Sequence, residues 1–500
     1  MATPPGDRAR DKATWELPQW REMIELVEVP DVYDVKFYPY GKPTDDPIFA
    51  AVGGKKLIVC RPTHVKDKSV HTLQTLNDDE PNADNCSVVW AQAEDGCPLL
   101  CFAGSTALIK IISALTGDLL QVLSGHGGGI TDLAVPRTNP HILASCSEDT
   151  TVRLWSLRKA HKESPCIAIF AGEGHLDSVL SIDFHPNGGY ILSAGQDHVV
   201  NMWAVPKFPG ESTIIEKVET IHYPHFSTSE VHSNKVDCVK FYKDLVLSRG
   251  HKEGCIVLWQ ITGFSSSAEI PSTSAAPTTY DQSAKTRSAF FKAPRGDKTA
   301  PRQYQRLLQF AIPQCNQWYM RFGLFSPYSS SQHPVLAMCN SASKVHFWDF
   351  SRLIKYKKFI TSPETEPKPS WLTLKSQIKK SGKSEGIRLL SQTTVDESVS
   401  SSSVYSFSTE SLAAATDIEA NRGVWDEKYA TGNPWKSLKA HKVESIPRVT
   451  TVGRAVAWSD DGGFCVVVGS SGIISVLERW AKNIPNIKAD KNTPNPDNTG

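Results

Sequence analysis

Three windows of the chain repeat one arrangement of polar and aromatic residues, and such internal periodicity restricts the possible folds more than any other feature. Gly125-His126 leads to Ser145, Asp149 and Trp155; Gly174-His175 leads to Ser193, Asp197 and Trp203; His232 leads to Ser248 and Trp259, with Glu253 near the acidic position. The His-to-Trp spacings are 29, 28 and 27, and in the first two windows Ser precedes Asp by four and Asp precedes Trp by six. A second pattern, apolar-x-apolar, recurs as Val35-Lys36-Phe37, Val88-Val89-Trp90, Leu133-Ala134-Val135, Ile182-Asp183-Phe184, Val239-Lys240-Phe241, Met320-Arg321-Phe322 and Val456-Ala457-Trp458. Most instances precede a turn and a second apolar run, such as HILASCSED, YILSAGQD or GFCVVVGS. Alternation of period two between Gly, Asn, Asp and Ser boundaries predicts strands.

Seven repeats of four short strands predict an all-β, seven-bladed β-propeller. The Gly-His and closing Trp resemble the WD40 repeat, although none of the three windows ends in a Trp-Asp pair, which is read instead at Trp348-Asp349. At about 40–45 residues per blade the ring needs roughly 300 residues. The chain has 500, so the remainder is insertion and tail. The propeller is expected over 21–480, with tails at 1–20 and 481–500. Long inserts at about 263–302 and 361–435 are rich in Ser, Thr, Ala and Pro and are expected to be flexible or held by a partner. The segment MIELVEV, 23–29, is expected to close the ring as the outer strand of the seventh blade.

The His/Ser/Asp sets invite a hydrolase reading. Recurrence in three blades instead predicts a structural role, in which His126, Ser145, Asp149 and Trp155, and likewise His175, Ser193, Asp197 and Trp203, form a hydrogen-bond chain inside one blade. Gly125 to Gly129 looks like an esterase oxyanion loop, but no G-x-S-x-G elbow accompanies it. No P-loop and no G-x-G-x-x-G opening a helix is present, and Cys97 and Cys101 lack companion zinc ligands, so neither cofactor nor metal is expected. Lys plus Arg number 54 and Asp plus Glu 53, which leaves little net charge for binding nucleic acid in bulk. The odd count of 11 Cys, the polar start and the lack of an apolar run near ~18 residues predict an intracellular, soluble chain with free thiols and no membrane contact.

In a propeller the residue that begins each innermost strand lies on the rim of one face. Counting four back from the closing residue of each apolar-x-apolar motif gives Tyr33, Cys86, Thr131, Leu180, Asp237, Trp318 and Arg454, with Tyr319 beside Trp318. Blades six, seven, one and two are neighbours in a closed ring, so Trp318, Tyr319, Arg454, Tyr33 and Cys86 are expected to share one side of one channel mouth. Converging aromatic faces attract a quaternary ammonium. Arg454 and Asp237 are expected to hold flanking peptide. Rings that merely cap the channel are the alternative.

The segments SALTGDLLQVLSGHGGGITDL, AIFAGEGHLDSVLSIDF, FSTSEVHSNKVDCV and QCNQWYMRF resemble the EED/ESC family, the WD40 subunit of Polycomb repressive complex 2. The resemblance covers the propeller and omits the inserts and tail. It implies a noncatalytic nuclear scaffold that reads trimethyl-lysine on the histone H3 tail or on a partner peptide. It also implies assembly with a SET-domain methyltransferase, which the bound peptide stimulates, and with a zinc-finger Polycomb subunit; any direct contact with nucleic acid is weak. The family's cage implies roles for Tyr33, Trp318 and Tyr319, and its neighbouring Arg matches Arg454. Cys86 stands where the family usually has Tyr, and Tyr33 where it usually has Phe. Tyr38 and Tyr40 are candidates to replace the missing ring. Both inserts follow a blade's third strand, at Trp259 and Trp348, which predicts that they leave the face opposite the cage. The basic run Lys375 to Lys383 is read as a solvated linker. A generic WD40 adaptor without methyl-lysine recognition is the rival reading.

Overall fold

The computed structural model describes residues 14–42, 44–65, 69–208, 215–278, 285–291, 302–327, 332–363, 365–372, 409–479 and 481–482. Two compact units are present, one formed by 1–351 with 433–500 and one by 352–432. The first is a seven-bladed propeller. Its blades begin with the inner strands Asp34–Phe37, Asn85–Gln92, Ile130–Ala134, Val179–Phe184, Val236–Tyr242, Gly323–Phe325 and Gly453–Trp458, numbered here blades 1 to 7. Each inner strand pairs antiparallel with the next strand of its own sheet, and the sheets contain four or five strands.

Gln19–Glu25 pairs antiparallel with Ile473–Glu478 and supplies the outer strand of blade 7, so the ring is closed by the chain's own N-terminal part. The strand lies four residues earlier than MIELVEV suggests, because the chain turns after Glu25: Leu26 N–H donates to Gly472 O at 2.9 Å, and Glu28 adopts a φ of 67°. Apolar side chains of alternate strand positions pack between neighbouring sheets, as Val35, Phe49, Val466 and Ile474 do between blades 1 and 7.

A belt of side chains links the inner strands around the channel. Asp34 accepts from the Val88 amide at 3.2 Å, the Ser87 hydroxyl from the Leu133 amide at 3.0 Å, Asp132 from the Ile182 amide at 3.0 Å, and Ser181 from the Val239 amide at 3.2 Å. Each of blades 1 to 4 therefore fixes the height of the next.

The repeated polar sets sit inside blades 3, 4 and 5. In blade 3 the Trp155 indole N–H donates to the Ser145 hydroxyl at 2.8 Å, Ser145 lies 2.7 Å from His126 Nε2, and His126 Nδ1 lies 2.8 Å from Asp149. Blade 4 repeats this through Trp203, Ser193, His175 and Asp197, and blade 5 through Trp259, Ser248, His232 and Glu253. Ser145, Ser193 and Ser248 are fully buried and each already accepts an indole proton, so none can act as a nucleophile.

Burial acts to raise the Glu253 carboxyl, but hydrogen bonds from His232 and Ser233 prevail and hold it down to about 2. Asp149 and Asp197 are likewise held below the ordinary range: burial raises them, but their His partners and backbone N–H donors together prevail. A depressed folded pKa contributes stability that is complete above the unfolded value and is lost as pH falls through the folded one. The melting temperature is therefore expected to fall steeply from roughly pH 4.3, the unfolded Glu value, toward about 2. A Glu253→Gln variant should show a shallower fall in the same scan; equal slopes would remove the set from the account of acid unfolding.

The described parts of the inserts contain secondary structure, while 279–284, 292–301 and 373–408 lie outside the described residues. Thr286–Ser288 pairs antiparallel with Phe226–Thr228 and adds a fifth strand to blade 4. Phe264 and Phe290 pack edge-on against Tyr190, with centroids 5.1 and 6.4 Å away. This segment also bonds to the turns that follow the inner strands, with Ser266 N–H donating to Asp244 at 3.1 Å. Its part near Ser266 therefore lies toward the end of the channel away from the rim residues, whereas Thr286–Ser288 runs along the outer edge of blade 4. In the second insert, Phe350–Thr361 forms helix α1 and Thr409–Tyr429 forms helix α2. Within the second unit, Tyr356 donates to Asp426 at 2.6 Å, and Tyr429 packs against Trp371 at 4.8 Å. The signal for these elements is aromatic: the rings at 425 and 429 lie four apart, on one helical face, despite the Ser-rich stretch before them. The 1–13 part of the expected N-terminal tail, the basic run 375–383 and the tail 483–500 lie outside the described residues.

Candidate functional site

The rim where the inner strands begin gathers residues from four blades. Tyr33 immediately precedes the inner strand of blade 1 and is held by its amide, which donates to Val52 O at 2.9 Å. Arg454 is the second residue of the inner strand of blade 7. Trp318 and Tyr319 lie in the connection from blade 5 to blade 6. The Met320-Arg321-Phe322 motif does not form the inner strand of blade 6, which starts three residues later, at Gly323. Residues 318–322 instead turn into the channel: the Arg321 amide donates to Arg454 O at 2.7 Å, and its guanidinium reaches Asp132 on blade 3 at 2.6 Å.

Three rings meet at this mouth. Tyr33 and Tyr319 are 5.6 Å apart between centroids and nearly perpendicular, and Trp318 and Tyr319 are 6.0 Å apart in a similar edge arrangement. Tyr319 forms the floor: it is 6% exposed, and its hydroxyl donates to Thr131 O at 2.6 Å and lies 3.1 Å from Cys86 O. Trp318 forms a wall with 49% of its surface exposed, and Tyr33 is half-buried. The Arg454 guanidinium lies 5.6 Å from the Tyr33 centroid, donates to Asp31 at 2.9 Å and to Trp318 O at 3.0 Å. One arginine thus ties blade 7 to the two walls.

Burial, then the carboxylates of Asp31 and Asp84, raise the Tyr33 phenol, and burial raises that of Tyr319 further. Both rings are neutral at physiological pH, so attraction to a cation comes from their quadrupoles. Cys86 adjoins the floor, but its thiol points to Ile130 O at 3.3 Å, and burial pushes it up to about 12, which leaves a neutral, unreactive thiol. Tyr38 and Tyr40 do not replace the missing ring. They follow the inner strand of blade 1 and pack on each other at the far mouth, Tyr38 also on Trp90. A cavity of about 380 Å³, lined in part by Lys36, Asp183 and Lys240, extends from beneath the floor toward that mouth, where Arg137 donates to Asp460 at 2.8 Å.

Asp237 does not flank a peptide. It is fully buried and paired with Arg249, also fully buried, at 2.6 Å. Its carboxylate accepts from the Tyr319 amide at 2.8 Å, and Arg249 donates to Cys315 O at 2.7 Å and to Gln317 O at 3.0 Å. The pair clamps the connection that presents both rings, and it supports the φ of 60° at Tyr319, a conformation unfavourable for a residue with a side chain. The rim count passes over Arg249; the signal for it is its place in the apolar strand LVLSRG, where a charge demands a partner.

The family described as WD domain, G-beta repeat matches residues 117–156 and 164–204. The chain is 35% identical to Polycomb protein EED of Chaetomium thermophilum, over 95% of this chain and 98% of that protein. It is 30% identical to Polycomb group protein FIE1 of Oryza sativa, over 60% of this chain and 72% of that protein. A chain of the Chaetomium thermophilum complex solved with H3K27me3 and H3K27M superposes with a TM-score of 0.79 at 37% identity, covering 95% of this chain and 99% of that one.

Proposed function

Because the chain belongs to the EED/ESC family of WD40 Polycomb proteins, we propose that it is the noncatalytic scaffold and trimethyl-lysine reader of a Polycomb-type histone H3 methyltransferase complex in the nucleus. The observation that carries the reader role is the convergence of Tyr33, Trp318 and Tyr319 on one rim, with Arg454 alongside. A trimethylated ammonium offers no N–H to water and spreads its charge over methyl groups, so it loses little on desolvation and gains from ring faces and dispersion. Arg454 supplies a donor for the peptide backbone beside the cage. The relative's complex with H3K27me3 supports histone H3 as the source of the peptide.

The scaffold role rests on the ring itself. The SET-domain subunit and the zinc-finger Polycomb subunit are the partners that family membership favours, bound at the far mouth and the outer side of the blades. Occupation of the cage then favours the active arrangement of the enzyme. Such coupling is reciprocal: the enzyme must tighten peptide binding by the factor by which peptide shifts the enzyme's equilibrium.

Calorimetric titration with H3 peptides, unmodified and trimethylated at lysine 27, tests the reading. The trimethylated peptide should bind roughly ten- to thirtyfold more tightly, the effect of a desolvated cation–π contact of ~2 kcal/mol less the missing ring at Cys86. Equal affinities would leave the scaffold and remove the reader.

A further inference from the structure

We propose that Lys235 is a built-in occupant of the Trp318 face, which the methylated peptide must displace; the inference rests on the reader function and sets its affinity. Lys235 immediately precedes the inner strand of blade 5, on the same rim as the three rings. Its ammonium lies 4.8 Å from the centroid of the Trp318 ring. The ring is the most exposed of the three and is the wall a ligand would meet first. Among the described residues no carboxylate pairs with Lys235. Two acids at this mouth are committed elsewhere: Asp237 is held by Arg249 and Asp31 by Arg454. The ammonium therefore rests on the indole.

Chemistry favours exchange. A primary ammonium on an exposed indole keeps its strongest interactions with water and is weakly held. A trimethylammonium cannot use that water and takes the ring instead. Two cations cannot share one indole without repulsion, so the incoming group either expels Lys235 or binds against its charge. Both routes lower affinity for methyl-lysine, and they lower it further for a peptide whose residues near the cage are basic. The site thus carries its own competitor, always present at a fixed effective concentration.

The position allows a clean substitution. Lys235 contributes to the fold through its backbone, with its carbonyl accepting from the His251 amide at 2.8 Å and its amide donating to Asn234 at 3.0 Å. Lys235→Gln keeps both. In the full-length protein, Lys235→Gln should bind the H3 peptide trimethylated at lysine 27 about two- to fivefold more tightly, the equivalent of one exposed cation–π contact. Lys235→Arg, which retains a stacking cation, should not gain, and the melting temperatures of both variants should match the parent. If Lys235→Gln binds the trimethylated peptide no better than the parent while trimethylation still strengthens binding, the competitor is refuted and the reader stands. If neither protein distinguishes trimethylated from unmodified peptide, the reader is refuted as well. If only Lys235→Gln distinguishes them, the competitor is strong enough to close the parent site, which supports the inference.

Discussion

A Trp318→Ala variant is expected to bind trimethylated and unmodified lysine peptides alike. The indole is half-exposed, so its removal leaves no core cavity and the melting temperature should barely change. Its backbone contribution, the carbonyl that accepts from Arg454, survives in alanine. What disappears is the open wall of the cage. Indole is the strongest of the aromatic faces for a cation, and a desolvated contact of ~2 kcal/mol corresponds to roughly thirtyfold in affinity. Tyr319→Phe provides the contrast. It keeps the floor ring and loses the hydroxyl that donates to Thr131 O and accepts from the Arg321 guanidinium at 3.1 Å, so it should cost about 1–3 kcal/mol of stability and retain the preference for trimethyl-lysine. Titration of both variants with both peptides reads the result. A Trp318→Ala protein that still prefers the trimethylated peptide would place recognition elsewhere on the propeller.

The second large effect concerns Arg249→Met. Removing one partner of a buried ion pair strands the other charge, which costs about 3–5 kcal/mol. Here the stranded group is Asp237, fully buried, and the loss also frees the carbonyls of Cys315 and Gln317 from their donor. The connection carrying Trp318 and Tyr319 should loosen, so the melting temperature and the peptide preference should fall together although Arg249 contributes no surface to the cage. Adding Asp237→Asn removes the uncompensated charge while keeping an acceptor for the Tyr319 amide. The double variant should recover part of the stability. Chemical denaturation of parent, single and double variants measures both steps, and an Arg249→Met protein as stable as the parent would refute the clamp.

Much of the architecture could be read from residue order. The sets built on His126, His175 and His232 are local, each contained within a span of about 30 residues, and their spacing reports the hairpin length between loop and third strand. The inner-strand motifs share one register, so counting from them placed Tyr33, Cys86 and Arg454 on a common rim. That count failed to describe residues 318–322, where Arg321 leaves the ladder for Asp132, 189 positions away in sequence. It also misjudged Asp237, whose carboxylate is consumed by Arg249 across a hairpin. Tyr38 and Tyr40 follow their strand and so emerge at the opposite mouth. In the inserts, low-complexity stretches obscured short apolar anchors: Phe264 and Phe290 fold one segment onto blade 4, and Trp425 and Tyr429 are buried in the helical unit.

Residue order alone therefore determined the number of blades, the strand period and the four-residue tie within blades 3, 4 and 5, because each depends on neighbours a hairpin apart. Only the folded ring decided which charges are free. Asp31 and Asp132 are each claimed by an arginine from a distant part of the chain, Asp237 by Arg249 across its own hairpin, and Lys235 is left to the face of Trp318. Alternation of apolar and polar positions fixes the side of a strand on which a group emerges. The partner it meets across the channel is set by ring closure, which brings together residues with no relation in sequence.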